Sequence, residues 1–193
     1  MARALNLPMI LMVLKNLFIS SVITGYLHPR QPLICTHTIM VRVGDSIPSI
    51  TLQEQSPLEN IDLSKELSSG KGLIIGVPAA FSPSCSDSHI PGYIASDKLK
   101  GAGKVFVISI NDAYVMRAWG KYLDPENTSG IRFLADMTGA FSEAWDVKFD
   151  ATAILGNHRS KRYAVRTEDG KVTHVAIEPD NTSLDVSAAE KVL

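Results

Sequence analysis

Runs of apolar residues divide the middle of the chain into strands that are predicted to be buried. Residues 73–77, 104–110 and 131–134 are almost continuously apolar, which is typical of strands covered on both faces of a sheet. Before them, alternation at residues 50–52 predicts a short edge strand, and residues 61–64 lead into a short helix or turn. The pattern favours a sheet flanked by helices.

Polar residues between those runs indicate where helices begin. A helix is predicted from Cys85 to residue 99, with a bend at Pro91, because proline lacks an N–H and its ring crowds the preceding turn. Asn111 and Asp112 can cap a second helix over residues 113–122. The apolar side of that second helix is expected to carry Val115, Trp119 and Tyr122.

The last third of the chain continues the alternation. A polar loop at residues 124–130 and a short amphipathic helix at 139–145 are predicted. Strands at 162–166 and 171–177 flank Asp169-Gly170, a dipeptide suited to a tight hairpin turn, and a last helix is predicted from about residue 187. Strands that alternate with helices and end in a hairpin predict an α/β protein with a thioredoxin-like fold, a mixed central sheet flanked by helices.

Composition limits the class of protein. A chain of 193 residues with 45% hydrophobic content and a formal net charge of -1 fits one globular domain with an extension. It has no basic stripe, so nucleic acid is not an expected partner. The sequence has no metal-site spacing of His, Cys, Asp or Glu and no glycine-rich phosphate loop, so neither a metal nor a cofactor is expected.

The amino-terminal segment differs from the rest in charge. Residues 1–41 contain no acidic residue and three basic ones, and an apolar stretch within them is broken by Lys15, so a membrane span is not expected. An acid-free basic segment favours a mitochondrial transit peptide; a secretory signal and a cytoplasmic protein that starts at Met40 are the alternatives. We therefore predict a targeting extension, residues 1–40, and a domain, residues 41–193.

Cys85 is the strongest candidate for a chemically reactive residue. Pro78 ends the preceding strand, and the cysteine falls in the first turn of the predicted helix, where unpaired N–H groups and the helix dipole favour a thiolate. A single cysteine is more often a small buried hydrophobic residue. The neighbours of Cys85 are polar and suit a turn and a helix start better than an apolar interior: Ser82, Ser84, Ser86, Asp87 and Ser88. Cys85 is therefore predicted to be a nucleophile.

The same stretch resembles a known family. Pro78, Ser82 and Cys85 reproduce the spacing Pro-x-x-x-Thr/Ser-x-x-Cys of peroxiredoxins. The string Pro-Ala-Ala-Phe-Ser-Pro-Ser-Cys-Ser is similar to the peroxiredoxin 5 (Prx5), or type II alkyl hydroperoxide reductase, branch, especially its fungal members. Further similar segments follow in the same order at residues 89–93, 111–114, 118–120 and 161–164. The resemblance implies a thiol-dependent peroxidase from residue 41 to the end.

The resemblance and the chemistry of peroxide reduction together imply roles for four residues. Cys85 attacks the peroxide and becomes a sulfenic acid, Ser82 hydrogen-bonds the thiolate or the peroxide, and Pro78 shields the sulfur. The resemblance places the cation of the site at Arg162, whereas composition alone favours a solvated arginine there. His89, four positions after Cys85, is interpreted as structural.

The sulfenic acid must be reduced again, and the chain has two cysteines, Cys35 and Cys85. Animal relatives carry a resolving cysteine where this sequence has Val186, and Cys35 lies in the extension that is expected to be removed. The resemblance implies a one-cysteine mechanism, with hydrogen peroxide and organic hydroperoxides as substrates, glutathione, glutaredoxin or thioredoxin as reductant, and a homodimer. A thiol–disulfide oxidoreductase is disfavoured because there is no Cys-x-x-Cys. A peroxide sensor or holdase chaperone with Cys85 as its redox switch is the alternative.

Overall fold

The computed structural model describes residues 40–193. Its strands are β1 (Thr51–Glu54), β2 (Ser56–Asp62), β3 (Lys71–Gly76), β4 (Lys104–Ser109), β5 (Arg132–Ala135), β6 (Lys148–Asp150), β7 (His158–Ser160), β8 (Tyr163–Glu168) and β9 (Lys171–Ile177). Its α-helices are α1 (Leu63–Glu66), α2 (Ile90–Ile94), α3 (Ala113–Leu123), α4 (Ala140–Ala144), α5 (Thr152–Leu155) and α6 (Ala189–Val192). A π-helical turn spans Ser84–His89, and a 3₁₀ turn spans Leu99–Ala102.

Seven of these strands form one mixed sheet in the order β2-β1-β5-β4-β3-β8-β9, and β6 and β7 form a separate hairpin. The central pairs β3–β4 and β4–β5 are parallel, whereas β3–β8 and β8–β9 are antiparallel. The predicted α/β, thioredoxin-like architecture is confirmed. The hairpin of β6 and β7 was not predicted.

The central strands bury both of their faces. Along β3, Leu73 and Ile75 belong to an apolar cluster that includes Trp119, while Ile74 belongs to a second cluster that includes Tyr163. Successive side chains of a strand point to opposite faces, so one cluster lies on each side of the sheet. The continuous apolar runs predicted strands that are covered on both faces, and the two clusters confirm this prediction.

The first two strands differ from the prediction. β1 does form near residues 50–52, but it lies between β2 and β5 and is therefore not an edge strand. The edge is β2, which was not predicted because it is polar and contains Pro57, and its Leu58 is 90% exposed. Proline is tolerated in a strand whose outer N–H groups face solvent, as they do at a sheet edge.

The helix predicted from Cys85 to residue 99 is wrong in its geometry and its end. It begins as a π-helical turn, in which the N–H of Ile90 donates to Cys85 O, and it ends at Ile94. The wide turn comes directly before Pro91, where a regular turn would bring the proline ring against the carbonyl four residues earlier. After Ile94 a turn takes over, in which the Ser96 hydroxyl accepts from Lys98 N at 3.4 Å.

The cap of α3 and the turn between β8 and β9 form as predicted, whereas the apolar side of α3 differs in part. Asp112 caps α3, because its Oδ1 accepts from Val115 N at 2.9 Å. Asp169 and Gly170 have φ of 49° and 76°, as a tight hairpin turn requires. The predicted apolar side of α3 is only partly right: the buried residues are Ala113, Met116, Trp119 and Gly120, whereas Tyr122 is exposed.

The amino-terminal segment, residues 1–39, lies outside the described residues, and with it the predicted targeting extension and Cys35. Within residues 40–193, no helix combines the length and apolar character needed to cross a membrane. The same residues contain no group of three His, Cys, Asp or Glu side chains that could hold a metal ion.

Candidate active site

The loop before the π-helical turn is fastened at the carboxyl ends of β3 and β4. Ala80 N donates to Asn111 Oδ1 at 3.1 Å, and the Ser109 hydroxyl donates to the same oxygen at 2.8 Å. Pro78, two residues after β3, is buried. These contacts determine the path of the chain from the sheet to Cys85.

Cys85 is fully buried, at 0% exposed, although its neighbours Ser84 and Asp87 are exposed. It belongs to the apolar cluster that includes Tyr93 and Trp119. The expectation that its polar neighbours keep Cys85 out of the interior is wrong, because burial changes from one residue to the next within a single helical turn. The sulfur of Cys85 therefore lies in the apolar core, although the residues around it in the sequence are polar.

The sheet brings Arg162 to this sulfur. Arg162 directly precedes β8, and the antiparallel pairing of β8 with β3 places Tyr163 opposite Gly76. Arg162 Nη1 lies 3.3 Å from Cys85 Sγ, and the arginine is only 2% exposed. The alternative of a solvated arginine is therefore wrong. The part that Arg162 plays in a reaction stays a prediction.

Hydrogen bonds orient the guanidinium of Arg162. Nε donates to Thr182 O at 3.0 Å, and Nη1 contacts His89 Nδ1 at 3.2 Å as well as the sulfur. Nη2 has no hydrogen-bond partner among residues 40–193. It is not fully shielded from solvent. Within the described part of the chain Arg162 forms no ion pair with a carboxylate. The charge of Arg162 is therefore available to Cys85 Sγ, and Nη2 is available as a hydrogen-bond donor to a further acceptor.

His89 also belongs to the site. Arginine can only donate, so His89 Nδ1 must accept from it, and the ring proton lies on Nε2, which donates to Ser187 O at 3.1 Å. Burial, followed by the nearby charge of Arg162, lowers the pKa of His89 from 6.5 to about 3. The ring is thus a neutral acceptor that steadies Arg162. The sequence showed only that His89 can share a helix face with Cys85.

Ser82 makes different contacts from those predicted for it. Its hydroxyl donates to Ala79 O at 2.9 Å, and its carbonyl accepts from Ser86 N at 2.9 Å. No hydrogen bond joins Ser82 to the sulfur within the described residues. The hydroxyl oxygen can still accept a hydrogen bond from a bound peroxide.

Cysteine chemistry assisted by a buried arginine on a thioredoxin-like sheet is typical of thiol-dependent oxidoreductases. Comparison with known proteins gives the family: residues 42–193 match Redoxin, and the chain belongs to this family and, within it, to the peroxiredoxins. Its peroxiredoxin relatives indicate that it is a thiol-dependent peroxidase.

Individual relatives cover nearly the whole domain. The peroxisomal membrane associated protein 20 of Schizosaccharomyces pombe is 46% identical over 157 residues, which are 80% of this chain and 98% of that protein. The structure of reduced Prx3 in complex with hydrogen peroxide from Vibrio vulnificus is 34% identical, with a TM-score of 0.72, over 79% of this chain and 97% of that one. Peroxiredoxin 5 from Alvinella pompejana is 40% identical, with a TM-score of 0.67, over 74% of this chain and 92% of that one.

Proposed function

We propose that the protein reduces hydrogen peroxide and alkyl hydroperoxides at Cys85 and uses no second cysteine of its own. The observation that carries this proposal is the 3.3 Å contact between Arg162 Nη1 and Cys85 Sγ in a buried site. Cys85, as the thiolate, attacks one peroxide oxygen. An S–O bond forms and the O–O bond breaks. The electron pair leaves with the second oxygen, which takes a proton and departs as water or an alcohol, while the sulfur becomes a sulfenic acid.

Arg162 serves this step in two ways. Nη1 holds the sulfur, and Nη2 is a donor for the oxygen on which negative charge develops. Both lie on one rigid planar group, so they are aligned before the peroxide arrives. The Ser82 hydroxyl is the second group that can orient the peroxide.

The one-cysteine part of the proposal is supported by the composition of the domain. Cys85 is the single cysteine of residues 40–193. Val186, at the position of the resolving cysteine of animal relatives, is partly buried against the same apolar cluster as Cys85. An external thiol then attacks the sulfenic sulfur and releases water, and a second thiol reduces the resulting mixed disulfide. Glutathione, glutaredoxin and thioredoxin are the proposed donors.

A homodimer is proposed on the basis of exposed aromatic residues beside the site. Phe81, in the loop before Cys85, is half exposed and lies 5.8 Å, centroid to centroid, from the exposed ring of Tyr122. Phe81 also has a φ of 61°, an uncommon conformation for a bulky residue. Sedimentation velocity is expected to give a dimer, and Phe81→Asp is expected to weaken it; a monomeric wild-type protein would contradict this part of the proposal.

The proposed cellular site is the mitochondrion, with the cytoplasm as the alternative if translation starts at Met40. It depends on the basic, acid-free segment described above. Amino-terminal sequencing of the native protein is the test. A mature protein that retains Cys35 would contradict both the removal of the extension and the argument that Cys35 is lost.

The main experiment follows peroxide consumption with each thiol donor and identifies the product by mass spectrometry. Repeated turnover is expected, with a sulfenic or glutathionylated Cys85 as the intermediate, and Cys85→Ser is expected to abolish both. A Cys35–Cys85 disulfide as the main product would overturn the one-cysteine mechanism. Oxidation of Cys85 once per chain without turnover would instead support the sensor or holdase alternative.

A further inference from the structure

Glu178 is a buried carboxylate that the mechanism above does not use. It follows β9, is 1% exposed, and forms no ion pair within the described residues. Its Oε1 accepts from Asp185 N at 2.7 Å, from Ser187 N at 2.9 Å and from the Ser187 hydroxyl at 2.7 Å, and its Oε2 accepts from the Ser183 hydroxyl at 3.3 Å. A buried charge without a charged partner is costly unless it is well hydrogen-bonded. Burial alone would raise the pKa of Glu178, but these donors lower it below its usual value.

The segment held by Glu178, residues 183–187, continues directly from Asn181 and Thr182, which contact the active-site arginine. Asn181 O accepts from Arg162 N at 2.8 Å, and Thr182 O accepts from Arg162 Nε at 3.0 Å. Ser187 O accepts from His89 Nε2, and His89 Nδ1 in turn accepts from Arg162 Nη1. Both side-chain supports of the guanidinium therefore lead back to residues 181–187.

A further contact connects Glu178 to Arg162 directly through the backbone. Glu178 N donates to Arg162 O at 3.0 Å. The main chain of Glu178 is thus bonded to the main chain of Arg162, and its carboxylate binds the segment next to the residues that contact the Arg162 side chain. No other described carboxylate accepts hydrogen bonds from both ends of residues 183–187.

We propose that Glu178 is a positioning residue for the peroxidase reaction: by holding residues 183–187, next to Thr182, it sets the orientation of the Arg162 guanidinium against Cys85 Sγ. The inference rests on the proposed function, in which Cys85 is the nucleophile. Glu178 itself does not touch the sulfur or the peroxide. It acts through Thr182 O on one side of the guanidinium and through Ser187 O and His89 on the other.

The orientation of the Arg162 guanidinium matters because one terminal nitrogen, Nη1, makes two of its hydrogen bonds. Nη1 donates one hydrogen toward Cys85 Sγ and the other toward His89 Nδ1. If Thr182 O and His89 shift, the guanidinium is free to rotate, and both the sulfur contact and the position of Nη2 change together. Misplacement of a reacting group by about 1 Å can cost on the order of 100-fold in rate.

The test compares Glu178→Ala, Glu178→Gln and a matched control, Glu168→Ala. Glu168 is an exposed carboxylate on β8 that makes no hydrogen bond or ion pair within the described residues. The rate of Cys85 oxidation by hydrogen peroxide is measured by stopped-flow fluorescence, at a temperature where circular dichroism shows every variant folded. Trp119 is a suitable reporter because its Nε1 donates to Ser86 Oγ, next to Cys85, at 3.0 Å.

Glu178→Ala is expected to slow oxidation about 10- to 100-fold. Glu178→Gln keeps an acceptor in place, and neutral hydrogen bonds are about half as strong as charge-assisted ones, so its rate is expected within about threefold of wild type. Glu168→Ala is expected to match wild type. In ¹⁵N NMR spectra, the Arg162 Nε–H is expected to exchange with water faster in Glu178→Ala than in Glu178→Gln, which a purely structural role would not produce in a folded variant.

A folded Glu178→Ala protein with wild-type oxidation rate and wild-type Arg162 exchange overturns the inference. If that variant does not fold, Glu178→Asp keeps the charge but ends one methylene short, and it is expected to show the same slowing; a wild-type rate in Glu178→Asp overturns the inference equally. If the wild-type protein itself does not oxidise at Cys85, the proposed function fails. An active wild type with an equally active Glu178→Ala refutes the positioning role alone.

Discussion

The neutral state of His89 predicts that the stability of the domain falls as the pH falls, and that one substitution removes this effect. In the unfolded chain, His89 takes up a proton as the pH drops below about 6.5. In the folded protein it stays neutral until about pH 3, because burial and Arg162 disfavour the charged ring. The unfolded state therefore binds more protons between these values, and the free energy of unfolding falls as the pH falls through that window.

The size of the effect follows from the two pKa values. At pH 7 the unfolded ring is mostly neutral, and His89 costs almost nothing. At pH 5 it is almost fully protonated when unfolded and neutral when folded, which costs the folded state about 2 kcal/mol relative to pH 7. For a domain of this size, such a loss corresponds to a decrease in Tm of about 4–8 °C.

The assay is thermal and urea unfolding of wild type, His89→Asn and His174→Asn between pH 5 and pH 7. An asparagine amide can accept from Arg162 where Nδ1 does, but it does not titrate. The decrease between pH 7 and pH 5 is expected to be smaller by about 2 kcal/mol in His89→Asn than in wild type. His174 is an exposed residue of β9, so His174→Asn is the control for loss of one imidazole.

Only the difference in pH dependence counts, since His89→Asn also changes stability at every pH. Equal pH dependence in wild type and His89→Asn would refute the reasoning. So would an NMR titration in which the His89 ring of the folded protein protonates near pH 6.5. Either result would mean that His89 Nδ1 is not held as an acceptor for Arg162.

Three further substitutions test other parts of the structure. Arg162→Ala is expected to lower kcat/KM for peroxide by about 100- to 1000-fold without abolishing it, as loss of an oxyanion donor does elsewhere; an unchanged kcat/KM would exclude Arg162 from the reaction. Ser82→Ala is expected to cost about 5- to 10-fold in the same assay, the equivalent of one neutral hydrogen bond, and no loss would assign Ser82 to loop structure alone. Gly76→Ala would place a Cβ 2.0 Å from Tyr163 Cε1, so Tm is expected to fall by the equivalent of about 1–3 kcal/mol, and an unchanged Tm would contradict the tight β3–β8 packing.

The parts of the fold that the sequence predicted are those with a local cause. The central strands were visible because burial on both faces requires continuous apolar runs. The cap at Asp112 and the turn at Asp169 and Gly170 were visible because each depends on the side chain or backbone freedom of residues adjacent in the chain. β2 was not predicted because an edge strand needs no apolar pattern. The π-helical turn was not predicted because its residues are also typical of the start of an α-helix.

The site was only partly predictable for a related reason. Cys85 and Ser82 lie in one short segment, and their spacing carries a signal. Arg162 is 77 residues from Cys85 along the chain, so its place was suggested by family resemblance and not by any local pattern. The contacts of His89 and Glu178 with the segment around Ser187 gave no sequence signal, because they arise from the antiparallel return of β8 and β9.

The burial of Cys85 is compatible with the reaction that we propose, because the positive charge of Arg162 lies beside the sulfur without a carboxylate partner among the described residues. Arg162 is buried and has no carboxylate partner among the described residues, and His89 offers it a lone pair but no charge. The Glu178 carboxylate accepts hydrogen bonds from Ser183, Asp185 and Ser187 and forms no ion pair with Arg162. A buried cation is costly unless an anion is paired with it, and of the two groups in contact with Nη1, Cys85 Sγ and His89 Nδ1, only the sulfur can carry a negative charge. In the reaction that we propose, the attacking sulfur and the departing oxygen both carry negative charge, and each could be stabilised by the same guanidinium.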